Sequence, residues 1–243
     1  MKTECLNCGH SIADTQYCSQ CGQRSDTGRI NGHFLLHEIQ HGIIHIDKGI
    51  FYTIKELAVR PGDTIREFIE GKRARHFRPL TFLFVLAGIY GFLYHSLHLN
   101  PNRISGSRAS QITEWAASHY SLTELIILPV FSFSTWLSFR KWDYNYIEHI
   151  VLNAFIAGQR LIIGMILLPV AYLYAGDPVM EKLKTFSIII TVIITCIDYI
   201  QFFKGHPFLH ILLRLFLAYL YSILIIILIS LPIGLAAAYI MSR

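Results

Sequence analysis

Charge is scarce in this chain. Of 243 residues only 15% are Asp, Glu, Lys or Arg, 53% are hydrophobic and the mean hydropathy is +0.44. Soluble domains carry about 25% charged residues, so a wholly water-exposed globule is disfavoured. No H-E-x-x-H, G-x-S-x-G, P-loop or dinucleotide fingerprint occurs, so the common hydrolytic and nucleotide chemistries find no support. There is no repeat at a solenoid or propeller period and no low-complexity tract. The opening "MKTECLNCGH" has no apolar core before a cleavage site. A secretory signal is therefore missing, and the amino terminus is expected to stay in the cytoplasm.

Cysteine is sparse as well, five in all, yet four of them crowd into "CLNCGHSIADTQYCSQC". Cys5, Cys8, Cys18 and Cys21 form two C-x2-C knuckles. Two facing knuckles supply four thiolates at tetrahedral zinc distance. Gly9 and Gly22 follow the second cysteine of each knuckle, where glycine permits the turn that aims N–H groups at sulfur. The pattern predicts a structural Zn2+ ribbon with no open coordination position. Two disulfides are the alternative, disfavoured by a reducing compartment. No Lys or Arg lies between Cys8 and Cys18, so nucleic-acid binding is not evident. A protein partner or self-docking fits better. Cys196, within an apolar run, reads as a packing residue.

In "NGHFLLHEIQHGIIHIDKG" histidines recur every fourth residue, at His33, His37, His41 and His45. Wound as a helix over 33–50, they advance about 40° per step around the face opposite Leu35, Leu36, Ile39, Ile43, Ile46 and Ile50. Two readings compete. The stripe is the wet side of an interfacial helix, titrating near pH 6.5 as a pH-sensitive surface; or an i, i+4 pair binds a second metal with Glu38 or Asp47. The first is preferred.

Downstream, Pro61 and Gly62 end the helix "DKGIFYTIKELAVR". Thr64 and Glu67 predict a capping box for a short new helix, and Gly71 its stop. Lys72, Arg73, Arg75 and Arg78 then crowd against the first long apolar run, with His76 among them. Such a collar orients a membrane protein and attracts anionic lipid headgroups.

A four-cysteine ribbon followed by "HIDKGIFYTIKEL", "RPGDTIREFIEGKRARHFRPLTFLF" and a hydrophobic tail resembles an uncharacterised family of bacterial polytopic membrane proteins, a domain of unknown function with an amino-terminal zinc ribbon. The resemblance is specific over residues 1–95. It implies an inner-membrane protein with a cytoplasmic ribbon and carries no activity or catalytic residue.

The expected fold is therefore an all-α integral membrane protein: a zinc ribbon over 1–30, amphipathic interfacial helices over 31–78, and a transmembrane domain over 79–243. About five spans are predicted, within a range of four to six: 79–97, 121–139, 150–174, 185–203 and 208–239. Each has the roughly 20 apolar residues that crossing needs. The last is long enough to tilt, or to break at Leu231-Pro232-Ile233-Gly234.

Polar residues inside spans mark function or buried pairing. Arg160, Asp198 and Arg214 fall at comparable depths, with Glu148 and His149 at the third span's entrance and Glu124 near the start of the second. They predict a buried Arg/Asp cluster, either a polar cavity or an ion pair holding helices together. Three functions remain open. The first is a non-enzymatic membrane protein with a ribbon platform for a protein partner or self-association. The second is an oligomeric channel or small transporter, and the third an intramembrane enzyme acting on lipids. No catalytic residue is assigned.

Overall fold

The computed structural model describes residues 3–12, 15–41, 49–97, 120–174 and 177–241, with side chains described at all of these but 37–41, 120–121 and 233–241. Among them are eight α-helices and no strand: α1 Gly32–His41, α2 Gly49–Val59, α3 Pro61–Glu70, α4 Pro79–Ser96, α5 Tyr120–Phe139, α6 Tyr146–Leu173, α7 Val179–Phe202 and α8 Phe208–Met241. The last five are long and apolar enough to cross a membrane. Four cysteines cluster ahead of α1.

Each long helix starts for a local reason. Pro79 occupies the first turn of α4, where its missing N–H is no loss. Asn145 caps α6: its side chain accepts from the Glu148 N–H at 2.9 Å, and the Glu148 carboxylate accepts from the Asn145 N–H at 2.7 Å. Pro129, Pro169 and Pro232 lie within α5, α6 and α8 without ending them, as neighbours in a membrane bundle allow. Of the two alternatives for the last span, the break near Pro232 is not seen, and α8 is one 34-residue helix. Two starts come earlier than expected: α6 opens at Tyr146, and α7 at Val179, drawing Glu181, Lys182 and Lys184 into its first turns.

α6 is the axis of the bundle. It is buried along most of its first half, including Ala154, Ala157 and Gly158. Small residues there let a neighbour approach closely: a Cβ at Gly158 would overlap the Phe82 ring of α4. α4, α5 and α7 pack around α6, and α8 packs on α5 and α7. Outward positions carry exposed apolar side chains such as Phe92, Ile126, Ile188, Phe216 and Leu228. In water these would be costly; against acyl chains they are at home.

α2 and α3 form a helical hairpin packed against α6 and α7. The expected Thr64–Glu67 capping box does not form. Pro61 begins α3 three residues sooner, and the Thr64 hydroxyl donates instead to the Glu56 carbonyl at 3.4 Å. Gly71 does end α3, at φ 119°, where its N–H reaches the Glu67 and Phe68 carbonyls. The hairpin tip is held by α6 and α7. Gln159 Nε2 donates to the Leu57 carbonyl at 3.0 Å, and the Gly62 N–H donates to Gln201 Oε1 at 3.0 Å.

Gly62 is the tightest contact. A Cβ there would lie 2.6 Å from both the Gln201 Cβ and the Phe202 nitrogen, and against the Asp198 carbonyl oxygen. Main-chain atoms cannot rotate aside. Gly62→Ala is expected at the upper end of the overpacking range, about 3 kcal/mol. A thermal midpoint in detergent lower by about 5–10 °C would register it; an unchanged midpoint would refute the contact.

Candidate metal centre and buried polar sites

The Sγ atoms of Cys5, Cys8, Cys18 and Cys21 all lie within 4.8 Å of one another. Cys5 and Cys21 are 3.6 Å apart, and Cys8 and Cys18 3.5 Å. A disulfide needs about 2.05 Å, so these are free thiols. Each knuckle closes on an antiparallel bridge, Glu4 with Ser11 and Tyr17 with Arg24. Gly9 and Gly22, at φ 72° and 73°, return their N–H groups to the Cys5 and Cys18 carbonyls. Apart from the cysteines, the apolar interior of this knot among the described residues is Ile12. Too small to hold itself by apolar burial, it is a donor set and a frame that fit a metal ion.

The knot is docked. Gln23, nearly fully buried, accepts from the Arg73 and Ala74 N–H groups at 2.9 and 3.1 Å. Arg29 donates to both Glu148 oxygens at 2.8 and 2.9 Å, and also to the Asp143 carbonyl. Asn145 donates to the Ile30 carbonyl at 2.9 Å, and Ile30 is wholly buried. Leu6 fills the space left by Gly71, where a Cβ would come within 2.5 Å of its Cδ1. Glu148 thus holds the helix start and the knot together. Sequence reasoning missed Gln23 and Arg29, since neither belongs to a motif.

The collar splits in two. Arg73 turns inward, its guanidinium donating to the Gly28 and Phe68 carbonyls at 2.8 and 3.0 Å and lying over the Phe34 ring at 5.1 Å. Burial pulls it down to about 10, still charged at neutral pH. Lys72 pairs with Glu67 at 3.1 Å. Burial pushes the Glu67 carboxyl up, but Arg60 and Lys72 outweigh it and leave it below its ordinary range. Arg75 and Arg78 face outward. Of the histidine stripe, His33 is exposed at the start of α1. The side chains of His37 and His41, and all of His45, lie outside the described residues, so the helix expected over 33–50 is seen only as α1 and the start of α2.

His76 is mostly enclosed, edge-on to Tyr52 at 5.0 Å and Phe68 at 6.1 Å, with Nδ1 unbonded among the described residues. Burial holds it below its ordinary value; Glu56 and Glu67 oppose the shift and Arg60 adds to it. The unfolded chain therefore takes up a proton, near pH 6.5, before the folded one does. This contribution to stability is full above about 6.5 and falls as pH drops. His76→Phe should flatten the acid limb of a midpoint-against-pH curve; an identical limb would exclude His76 as its source.

Within the bundle the expected cluster is distributed over separate sites. Arg160 pairs with Glu124 at 3.0 Å, not with Asp198. Arg160 points about 100° around α6 from Gln159, so it meets Glu124 on α5 while Gln159 faces Asp198 on α7. Arg214 donates to the Ser138 carbonyl and lies over the Trp142 ring at 4.8 Å. His149 Nδ1 is 3.1 Å from the Thr135 hydroxyl. Asn153 donates to Thr135 at 3.0 Å and accepts from the Tyr199 hydroxyl at 2.7 Å. Below this network Phe139 stacks on Phe203 at 4.4 Å, and Trp142 on His206 at 3.8 Å. Asp198 is fully buried with no hydrogen bond to either oxygen among the described residues. Asn153 and Gln159, polar positions inside a long apolar run, were the signal that could have found the buried network.

A family described as "Protein of unknown function (DUF3667)" matches residues 47–91, the stretch that holds α2, α3, the collar and most of α4. The cysteine knot lies outside that stretch. No curated protein and no solved structure matches the chain.

Proposed function

We propose that this chain is a non-enzymatic protein of the bacterial inner membrane whose cytoplasmic zinc ribbon is clamped to the transmembrane bundle and serves as a platform for protein interaction or self-assembly. On this reading residues 1–30 are the ribbon, 31–78 the interfacial helices and 79–243 the membrane domain. The observation that carries it is the docking through Gln23, Arg29 and Ile30. That docking fixes the knot to α3, the collar and α6, and leaves Tyr17 on its outer side 55% exposed.

Zinc suits the thiolates. A tetrahedron of Zn–S bonds near 2.3 Å has edges of about 3.8 Å, close to the 3.5 and 3.6 Å sulfur pairs. A cytoplasmic ribbon suits the basic residues. Arg75 and Arg78 are exposed beside the first span; Arg140, Lys141 and Lys204 are exposed in the two other turns at that end.

A photo-reactive residue at Tyr17 in the full chain, activated in living cells, should yield a discrete adduct with another protein or a second copy. No adduct, together with a monomer in lipid nanodiscs, would sink the platform. A second reading, an oligomeric channel or small transporter, is favoured by the mostly covered Arg160–Glu124 pair within the bundle. Ion flux in liposomes that disappears in Arg160→Ala would replace the first reading with the second.

A further inference from the structure

The geometry points to an intramembrane site for one small monovalent cation, sodium or a proton, held by the Asp198 carboxylate and the Gln159 side-chain oxygen. Asp198 is 0% exposed and Gln159 7%. The Gln159 side-chain amide lies within hydrogen-bonding reach of the Asp198 carboxyl. Asp198 Oδ1, Asp198 Oδ2 and Gln159 Oε1 are three buried oxygens that complete no hydrogen bond among the described residues. Two neighbouring side chains thus present three oxygens and a formal negative charge, in a bundle that water does not solvate. A bare carboxylate is not tolerated there. The missing partner must bring positive charge, and oxygen ligands with a single carboxylate suit a hard monocation.

The surrounding charges are otherwise engaged. On α3, Asp63 and Arg66 pair with each other, and Arg66 also donates to the Gln201 carbonyl at 3.0 Å. On α6, Arg160 is taken by Glu124, and His149 is bonded to Thr135. On α8, Arg214 is taken by the Ser138 carbonyl and the Trp142 ring, and Tyr219 packs on Phe131 at 5.1 Å. On α7 itself Cys196 and Tyr199 flank Asp198, and Tyr199 donates to Asn153. None of these cations forms an ion pair with Asp198.

The site is joined to the hairpin. Gln159 holds the Leu57 carbonyl at the end of α2 with its nitrogen, and the Asp198 main chain bears on Gly62 at the start of α3. Occupancy therefore ties the α2–α3 hairpin to α6 and α7. Loss of the cation leaves a naked charge at that joint.

The test is thermal unfolding of the full chain in nanodiscs. The midpoint is read in choline chloride at pH about 8.5, after replacement by sodium chloride at equal ionic strength, and after acidification to about 5.5. In the parent, sodium or acid should raise the midpoint by about 5–10 °C. Asp198→Asn, which needs no cation, should lose that response. A sodium response assigns the site to sodium; a response to acid alone assigns it to a proton. Parent and Asp198→Asn responding alike would overturn the site. Should Asp198→Asn fail to fold, Gln159→Leu decides: a response weakened about tenfold in sodium or proton concentration supports the site, and an unchanged response overturns it. A chain lacking the platform function would still show the response, so the two ideas fail separately.

Discussion

Cys18→Ser empties the metal centre and frees the knot from the bundle. Structural zinc of the proposed kind contributes about 10–16 kcal/mol in apparent binding free energy, and among the described residues Ile12 is the only buried apolar side chain packed with the cysteines. Metal analysis of the purified full chain should fall from about one ion per molecule to near zero. Protease should then cut between residues 3 and 30, sites that docking through Gln23, Arg29 and Ile30 should protect in the parent. The helical signal should remain, because α4 to α8 do not need the knot for their own hydrogen bonds. Retained metal in Cys18→Ser would refute the four-thiolate centre. Lost metal with unchanged protection would refute the docking.

Glu124→Ala comes second in size. Arg160 is one-third exposed and Glu124 mostly covered, at a depth where the outer faces meet acyl chains. Removing one partner of such a pair costs about 3–5 kcal/mol, a midpoint lower by roughly 10 °C. Arg160 Nε already lacks a bond among the described residues, so the stranded guanidinium has little else to turn to. The double variant Glu124→Leu with Arg160→Met should recover most of the loss, since apolar replacement of a whole buried pair is often neutral. A double variant as unstable as Glu124→Ala would show that the residues are needed separately.

The five spans were legible because each is a long apolar run, and length against bilayer thickness is a one-dimensional property. The hairpin was half legible. Pro61 and Gly71 mark its turn and stop, but amphipathic α2 and α3 carry the same pattern whether they lie on lipid or pack on α6 and α7. Thr64 looked like a cap because Thr-x-x-Glu is a local signature, and the proline three residues earlier overrode it. Arg160 was grouped with Asp198 but pairs with Glu124, since choosing between the two depends on which helix faces which. The cysteine spacing announced the metal centre; nothing in it announced Gln23 or Arg29, whose partners lie about 50 and 119 residues away.

The hairpin tip has a consequence for how the chain is made. Gly62 bonds to Gln201 across 139 positions. At roughly 5–20 residues per second of synthesis, its sleeve leaves the ribosome about 7–28 s after it. Through that interval a pair of half-greasy helices has been born before its seat. The newborn segment must wait until α6 and α7 have been made, so one of the tightest joints in the bundle is among the last to close.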